Sequence, residues 1–341
     1  MRSTRSNVGR VVTLLSVLCL TAVASQPATA ANSYEHFIVG NAADVTRTTQ
    51  GMLVLDGGGT DIDQVFVRMG AASGGGDFVV IRASGTDAYN PYIYDLCGCD
   101  SVETIIFKNR QASFNPFVLE RIRNAEALWI AGGDQSDYVN FWKGTPVEDA
   151  INAMAARRAP IGGTSAGTAV MSEFVYSAMS AKSLTSSVAL ADPFSRDLTL
   201  DRDFLMLPKL NGLITDQHLQ ERDRMGRTVA FLARLVTDGW TAQAGAIAAD
   251  RETALIVDPD TGRSEVVSTP THPTAFVYFL RPPGPPEVCT PKTPLTYRNI
   301  DVYRIGPGGT FDIDKWTGSH GIAYTLSVEA GVLSSSRGEI Y

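Results

Sequence analysis

A serine lies in a Gly-x-Ser-x-Gly motif, Gly163-Thr164-Ser165-Ala166-Gly167, which is typical of a nucleophile elbow. In such an elbow a strand turns sharply into a helix, and the two glycines let neighbouring chain approach closely. The serine hydroxyl then stands at the helix start, where the backbone N–H of Ala166 points toward an oxyanion. The motif makes Ser165 the first candidate for a catalytic nucleophile. A turn of small residues that only packs a helix on a sheet is the structural alternative.

A serine nucleophile needs a base, and the chain contains four histidines: His36, His218, His272 and His320. His36 lies close to the N-terminal segment, His272 lies in a turn before a proline, and His320 lies near the C-terminal end. His218 instead follows a predicted strand end, Gly212–Thr215, and begins the polar run that extends to Arg227. His218 is therefore the predicted base, and a capping or surface histidine is the alternative interpretation.

A carboxylate must accept the second imidazole N–H and stabilise the imidazolium when it forms. Glu252 follows His218 in the chain and lies in a predicted turn between two strands. Asp250 and Asp216 are rivals for the same task. Spacing alone does not choose among these three carboxylates.

The elements that must position these residues alternate between strand and helix, which indicates a mainly parallel sheet. Predicted strands at 52–55, 78–81, 104–107 and 127–130 each end in small or polar residues, as expected where parallel strands open onto a ligand crevice. Helices are predicted over Ser113–Arg123, Tyr138–Ala156 and Gly226–Asp238. The Ser-rich segment Phe174–Leu213 is interpreted as an insertion that overhangs the site.

The pattern after Gly245 changes to closely spaced strands, which indicates an antiparallel extension of the same domain. These strands are predicted at 245–249, 254–257, 265–268, 275–280 and 300–305, the last one after a Pro-rich loop. The architecture expected is α/β with a C-terminal antiparallel extension.

The N-terminal segment has the features of a secretory signal over residues 1–30. Three arginines precede an uncharged run of about 14 residues, Val11–Ala24, which is shorter than the roughly 20 that a spanning helix needs, and Ala28-Thr29-Ala30 is a signal-peptidase pattern. We therefore expect cleavage near Ala30, a secreted or periplasmic protein, and a single domain over 31–341.

Composition restricts the classes of partner. The 341-residue chain has 44% hydrophobic and 19% charged residues, as soluble globular proteins do, and a net charge of −7. Loss of the signal removes three arginines and no acid, so the mature chain is still more acidic. Nucleic acid and, after signal cleavage, membranes are therefore not expected as partners. No cofactor and no metal are expected, and a homodimer is left open.

Three cysteines remain in the mature chain: Cys97, Cys99 and Cys289. Cys97 and Cys99 are separated by one glycine, an awkward spacing for a mutual disulfide, so a bond from one of them to Cys289 or free thiols are expected. A structural disulfide or free thiols are favoured over any catalytic use.

Four motifs together resemble the cyanophycinase family of serine peptidases, which also contains dipeptidase E. They are Ala131-Gly132-Gly133-Asp134-Gln135, Gly163–Gly167, Asp216-Gln217-His218 through Arg222, Arg224 and Arg227, and Asp250-Arg251-Glu252-Thr253-Ala254. The order and the spacing match the family over residues 52–280. The resemblance implies a flavodoxin-like, doubly wound, mainly parallel sheet related to class I glutamine amidotransferases, with serine in place of cysteine.

The same resemblance implies Ser165 as nucleophile, His218 as general base and then acid, and Glu252 as the carboxylate that orients His218. It implies an oxyanion hole from the backbone N–H groups of Gly133 and Ala166. Substrate-binding residues would be Gln135, Asp216, Gln217, Arg222, Arg224 and Arg227, since arginines bind carboxylates in a bidentate manner and Asp216 suits a guanidinium. Glu221 and Asp223 depart from the family pattern, and we expect them to pair with these arginines.

The function expected is a secreted serine exopeptidase that cleaves cyanophycin, multi-L-arginyl-poly-L-aspartate, to β-aspartyl-arginine dipeptides through an acyl-enzyme. The partner is then a peptide or polymer substrate. A peptidase for other aspartyl or isoaspartyl peptides is the alternative. A catalytically silent binding protein of the same fold is a third interpretation, which an intact serine, histidine and glutamate disfavour.

Overall fold

Short, fully buried strands form the parallel part of the sheet. The computed structural model describes Met1 and residues 32–180, 182–272 and 275–341. The predicted signal peptide therefore lies, apart from Met1, outside the described residues. The first six strands are β1 (Tyr34–Gly40), β2 (Leu53–Asp56), β3 (Asp77–Arg82), β4 (Ser101–Phe107), β5 (Ala127–Ile130) and β6 (Ile161–Thr164). Five of them run parallel in the order β4-β3-β5-β6-β2. Their near-continuous apolar sequences follow from burial on both faces.

Helices cover both faces of this parallel sheet. They are α1 (Asp63–Ala72), α2 (Tyr89–Cys97), α3 (Pro116–Asn124), α4 (Gln135–Trp142) and α5 (Pro146–Ala156), with a 3-10 helix at Arg110–Phe114. Alternate residues of β2 show the two layers, because Val54 packs in the cluster that includes α1 and α2, whereas Leu53 and Leu55 pack in the cluster that includes α3, α4 and α5.

The rest of the sheet is mostly antiparallel. Its strands are β7 (Phe174–Tyr176), β8 (Leu200–Arg202), β9 (Leu213–Asp216), β10 (Gly245–Ala249), β11 (Thr253–Val257), β12 (Arg263–Ser268), β13 (Val277–Arg281), β14 (Tyr297–Asp312), β15 (Thr317–Glu329) and β16 (Val332–Ser335). From β2 the order continues β11-β12-β14-β13-β10-β9-β7-β8, in which β10, β9 and β7 run parallel again. The prediction of an α/β sheet with a mainly parallel core and an antiparallel C-terminal extension is confirmed.

Three short or amphipathic helices complete the fold near β7–β10: α6 (Ala166–Ala169), α7 (Ser186–Ala191) and α8 (Met225–Thr237). The buried face of α8 packs with β9, β10 and β13 in a second large apolar cluster. The predicted site residues lie mainly at the start of α8 and at the ends of β2, β5, β6 and β9.

Two helix predictions are wrong in their bounds for a local reason. The helix expected over Tyr138–Ala156 is two helices, because Pro146 cannot continue α4 and instead occupies the first turn of α5. Thr145 caps α5 by accepting a hydrogen bond from the Val147 N–H at 3.3 Å. Likewise Ser113 lies in the 3-10 helix, and α3 begins after Asn115, which caps it.

The expected cysteine pairing is wrong, although a structural disulfide is present. Cys97 and Cys99 form a disulfide across Gly98, with a Cα–Cα separation of 5.2 Å that lies within the usual range, and Cys289 is buried and free. Gly98 has a φ of +62°, a conformation that glycine adopts without strain, and this turn brings the two sulfurs together. Among the described residues no helix is both long and apolar enough to cross a membrane.

Candidate active site

The nucleophile elbow forms where β6 turns into α6. Ser165 has a φ of +53°, which strains a residue with a Cβ atom. A side chain at Gly167 would overlap the carbonyl oxygen of Ile130, and one at Gly163 would come within 2.7 Å of the Gly167 carbonyl carbon. Both glycines of the motif are therefore needed for the turn to pack against β5 and α6.

His218 lies directly after β9 and faces Ser165. The Ser165 Oγ and the His218 Nε2 are 3.0 Å apart, a hydrogen-bond distance for a nucleophile and its base. The His218 backbone N–H donates to the Gly57 carbonyl at 2.9 Å, so the glycine run after β2 holds the histidine. A Cβ on Gly58 would overlap His218 Nε2 and lie 3.0 Å from the Ser165 Cβ, so only glycine fits beside this pair.

The other imidazole nitrogen contacts a glutamate of the same turn. His218 Nδ1 lies 2.7 Å from the Glu221 Oε2. Because an ionised carboxylate only accepts, Nδ1 carries the proton and Nε2 is free to accept from the serine. Burial lowers the pKa of His218 below its ordinary 6.5. The Glu221 hydrogen bond raises this pKa and so offsets part of the effect of burial.

Glu252, which the family resemblance implies as the orienting carboxylate, is engaged elsewhere. Its Oε1 accepts from Thr60 at 3.0 Å and pairs with Arg251 at 2.9 Å, while its Oε2 accepts from Thr269 and Thr271 at 2.9 Å and lies 3.2 Å from His272 Nε2. Burial alone would raise the pKa of Glu252, but these hydroxyl bonds and the His272 charge lower it to about 2. The expectation that Glu252 orients His218 is contradicted by this geometry.

The two rival carboxylates are also occupied. Asp250 accepts the Gln220 N–H at 3.0 Å and the Phe276 N–H at 3.1 Å, which ties the turn after His218 to the sheet. Asp216 is 2% exposed and forms a two-bond ion pair with Arg227, at 2.9 and 2.5 Å. Neither one contacts the imidazole.

A cavity of about 230 Å³ opens beside the nucleophile. It is lined by Ser165 together with Gly133, Asp134, Gln135, Tyr176, Ala178, Ser180, Lys182, Ser183, Gln217, Arg222, Arg224 and Arg227. Five of these residues, from Tyr176 to Ser183, come from the segment Phe174–Leu213 that was interpreted as an overhanging insertion. A larger cavity of about 730 Å³ lies along β11, β12 and β14 and contains none of the predicted site residues.

Three arginines of this cavity have different surroundings. Arg227 is 1% exposed and bound to Asp216, so it anchors α8. Arg224 is 6% exposed and donates to the carbonyl of Gln217 at 2.9 Å and to the side-chain oxygen of the same residue. Burial, followed by the charge of Arg227, lowers the pKa of Arg224 to about 10. Arg222 is exposed, and its side chain forms no ion pair within the described part of the chain.

The predicted substrate residues therefore divide into two groups. Gln135 and Gln217 line the cavity with Arg222 and Arg224, and the Gln135 amide donates to the Tyr176 carbonyl at 3.3 Å. Asp216 does not line the cavity, because Arg227 holds both of its oxygens.

The expectation that Glu221 and Asp223 pair with the arginines is also wrong, since Glu221 faces His218 and Asp223 accepts from the Tyr341 hydroxyl at 2.8 Å.

The backbone donors predicted for the oxyanion lie around the nucleophile. Gly133 lines the cavity beside Ser165, and a Cβ on its neighbour Gly132 would be 3.6 Å from the Ser165 Cβ. Ala166 is the first residue of α6, so its N–H is not used within the helix. Among the described residues no group of three or more His, Cys, Asp or Glu side chains is arranged to hold a metal ion.

Sequence reasoning missed two features of the site. Gly58 was seen only as part of a strand end, although a run of three glycines after a buried strand is a signal for close approach of another chain segment. Glu221 was assigned to the arginines, although its i,i+3 spacing from His218 allows contact within one turn.

Comparisons of the sequence with known proteins show which family this chain resembles. The model of Peptidase family S51 matches residues 90–192, which include the Gly-Gly turn and the nucleophile elbow. Cyanophycinases from Trichormus variabilis and from a Nostoc species are each 26% identical over 142 residues, 41% of this chain and 44% of the relative. The match thus spans less than half the length of these curated relatives.

A solved structure shares the fold. The crystal structure of a peptidase from an acI-B1 Actinobacterium superposes with a TM-score of 0.51 at 16% identity and covers 78% of this chain and 98% of its own. The fold of this chain is therefore similar to that of a peptidase, and the Ser165–His218 contact has the geometry of a nucleophile and its base. The family match confirms the resemblance of this chain to peptidase family S51, the relation that the four motifs predict.

Proposed function

We propose that this chain is an exported serine exopeptidase that hydrolyses cyanophycin to β-aspartyl-arginine dipeptides through an acyl-enzyme. The observation that carries the proposal is the 3.0 Å contact between the Ser165 hydroxyl and His218 Nε2 at the edge of a small arginine-lined cavity. The cyanophycinase relatives support the choice of substrate.

The chemistry follows from the protonation states of the pair. His218 Nε2 accepts the Ser165 proton as Oγ attacks the scissile carbonyl carbon, and the C–N bond then breaks as the imidazolium returns that proton to the leaving amine. Water, deprotonated by the same nitrogen, next attacks the acyl-enzyme and releases Ser165. The N–H groups of Gly133 and Ala166 would stabilise the oxyanion of both tetrahedral states, at about 3–4 kcal/mol for one such donor.

Charge in the cavity favours an aspartyl residue. Arg224 is a nearly buried cation whose contacts are with neutral oxygens of Gln217, so a substrate carboxylate would supply the charge partner that it lacks. Arg222 and Lys182 add positive charge at the cavity wall. Asp134, also in the wall, is positioned better than Asp216 to meet a guanidinium of the substrate.

The size of the cavity supports attack at a chain end. Its volume of about 230 Å³ lies below the roughly 300–1,000 Å³ of most ligand sites. A cavity of this size favours binding of a chain-terminal unit over binding of a longer stretch of polymer. A peptidase for other aspartyl or isoaspartyl peptides fits the same charges and is the alternative, and a silent binding protein is the third.

The remaining parts of the proposal rest on sequence. Export rests on the signal-like residues 1–30 and implies a secreted or periplasmic enzyme. A specific relation of the fold to class I glutamine amidotransferases is proposed on the sequence resemblance, and the helices on both faces of the parallel sheet support it.

The test is incubation of the purified protein with cyanophycin beside a panel of isoaspartyl dipeptides. We expect the parent protein to release β-aspartyl-arginine. Ser165→Ala should release none while its unfolding curve stays unchanged. Hydrolysis of the dipeptides without any clearing of polymer would decide for the alternative substrate. Equal activity of Ser165→Ala and the parent would mean that Ser165 is not the nucleophile.

A further inference from the structure

We propose that Glu221, and not a carboxylate from the turn after β10, is the positioning residue that orients His218. The inference rests on the proposed Ser165–His218 mechanism and changes its third member. Histidine and glutamate would then come from one turn of the chain, His218–Asp223.

The backbone of this turn keeps the two side chains together. The Arg222 N–H donates to the His218 carbonyl at 3.1 Å, and the Arg224 N–H donates to the Leu219 carbonyl at 2.8 Å. Asp250 holds the middle of the turn from the sheet through the Gln220 N–H at 3.0 Å. The 2.7 Å contact between Glu221 Oε2 and His218 Nδ1 is therefore made on a braced loop.

The three other candidates for this task, Glu252, Asp250 and Asp216, are engaged by other groups. The oxygens of Glu252 meet three hydroxyl groups, one guanidinium and His272, which fills the roughly four lone-pair sites of a carboxylate. Asp250 accepts two backbone N–H groups, and Asp216 is bound to Arg227. Spacing along the chain leaves open which carboxylate orients His218. Glu221 is selected because other donors already occupy the oxygens of the three rival carboxylates.

Charged groups around the imidazole define the expected pH response. Glu221 raises the pKa of His218, whereas burial and the positive charges of Arg222 and Arg224 lower it. On the other sides of the ring lie the Gly57–Gly59 run and the Ser165 hydroxyl. The charged residues next to that run are Asp56, which accepts the Gly58 N–H, and Arg251 and Glu252, which pack against Gly59. Loss of the Glu221 charge therefore moves the pKa of His218 further down.

The experiment measures labelling of Ser165 by a fluorophosphonate probe, which requires an activated serine but no knowledge of the peptide substrate. The full chain is compared with Glu221→Gln, Glu221→Asp, Glu252→Gln and, as a charge-matched control on an exposed face, Glu120→Gln. For each variant the maximal labelling rate, the half-saturating probe concentration and the pH dependence from about 4 to 8 are recorded, with an unfolding curve as the check on structure.

We expect Glu221→Gln to lower the maximal labelling rate about 10²-fold or more, since loss of the orienting acid in a serine triad lowers the rate by up to about 10⁴-fold. The half-saturating probe concentration should stay within about threefold of the parent value. The acid limb of the pH profile should move to lower pH, and Glu221→Asp should recover part of the rate. Glu252→Gln and Glu120→Gln should leave the acid limb in place.

Three results would overturn the inference: a parent-like rate and acid limb in Glu221→Gln, a fall in rate with no movement of the limb, or a movement of the limb in Glu252→Gln. A parent protein that the probe does not label would instead overturn the activated serine, and with it the proposed function. Labelling without cyanophycin hydrolysis would contradict only the substrate.

Discussion

Backbone strain occurs at Ser165, at its base His218 and at Glu252, as well as at residues away from the site. Ser165, His218 and Glu252 have φ values of +53°, +48° and +56°, conformations that side chains with a Cβ atom adopt at a cost of order 1–3 kcal/mol each. Each is held by specific contacts: Gly163 and Gly167 around Ser165, Gly57 under His218, and a ring of donors around Glu252. The packing of the sheet edges thus maintains geometry that the local sequence alone disfavours.

Gly58 offers a test of how closely the glycine run approaches the reacting atoms. Its φ is +92°, and a Cβ there would overlap the imidazole nitrogen that must receive the serine proton. Gly58→Ala should therefore reduce the rate of Ser165 labelling at least about 10²-fold, because misplacement of a catalytic group by about 1 Å has an effect of that order.

The matched control is Gly284→Ala, a glycine whose added methyl group would meet nothing within 4 Å and whose φ is not positive. It should label at the parent rate. A Gly58→Ala protein that labels as fast as the parent would show that the loop moves freely away from His218.

At the scale of elements, α8 is attached to the end of β9 by one buried ion pair. Arg227 on α8 and Asp216 on β9 are 1% and 2% exposed, and Thr228 donates to the same carboxylate at 2.8 Å. Burial raises the pKa of Asp216, but the Arg227 charge more than offsets this and the pKa is lowered overall. The pair therefore explains why Asp216 stands in the motif without lining the cavity, and why Arg227, which does line it, is held to the end of β9.

Arg227→Met and Arg222→Met should separate structural from binding arginines. Arg227→Met leaves Asp216 buried without its partner and should lower the free energy of unfolding by about 3–5 kcal/mol. Arg222→Met changes an exposed side chain, so stability should stay within about 0.5 kcal/mol while KM for an aspartyl peptide rises about 10-fold or more.

Denaturant titration and steady-state kinetics on the two variants provide the measurements. Parent-like stability of Arg227→Met would contradict the assignment of the ion pair as the α8 anchor. An unchanged KM in Arg222→Met would remove Arg222 from the substrate-binding set.

At the scale of the molecule, an acidic protein presents a basic cavity. The whole chain has a net charge of −7, whereas the wall beside Ser165 contains three arginines and a lysine against one aspartate. Attraction of an anionic substrate is therefore a local property of the cavity and not of the surface as a whole, since charges beyond about 8 Å are largely screened at physiological salt.

The compact unit Asn32–Tyr341 should fold without the N-terminal segment. Its three apolar clusters contain no buried residue before Leu53, so a fragment of residues 32–341 keeps the complete core. We expect its free energy of unfolding to match that of the full chain within about 0.5 kcal/mol and Ser165 labelling to be retained.

A fragment of residues 53–341 is the comparison, because it also lacks β1, which pairs with β4 over seven residues. It should be clearly less stable. A 32–341 fragment that fails to fold would show that residues before Asn32 belong to the folded domain, against the predicted boundary near residue 31.

Elements with strong local signals are predicted correctly from the sequence. Apolar runs between Gly-rich turns identified β2, β3, β4 and β5, and α8 was predicted to within one residue at each end. The Gly-x-Ser-x-Gly motif and elimination among four histidines identified Ser165 and His218 as candidates, which lie 3.0 Å apart. These inferences succeed because periodicity and turn chemistry are local properties.

The tertiary structure is needed to know which acid contacts the imidazole, which predicted substrate residues line the cavity and which cysteines pair. Glu252, Asp250 and Asp216 are similar in sequence terms, and they differ in the donors that distant segments bring to them: threonines from two loops, backbone N–H groups, and Arg227. Glu221 remains available to His218 because those donors fill the other three. Partner choice depends on three-dimensional proximity and on the satisfaction of lone pairs, and neither is encoded in spacing along the chain.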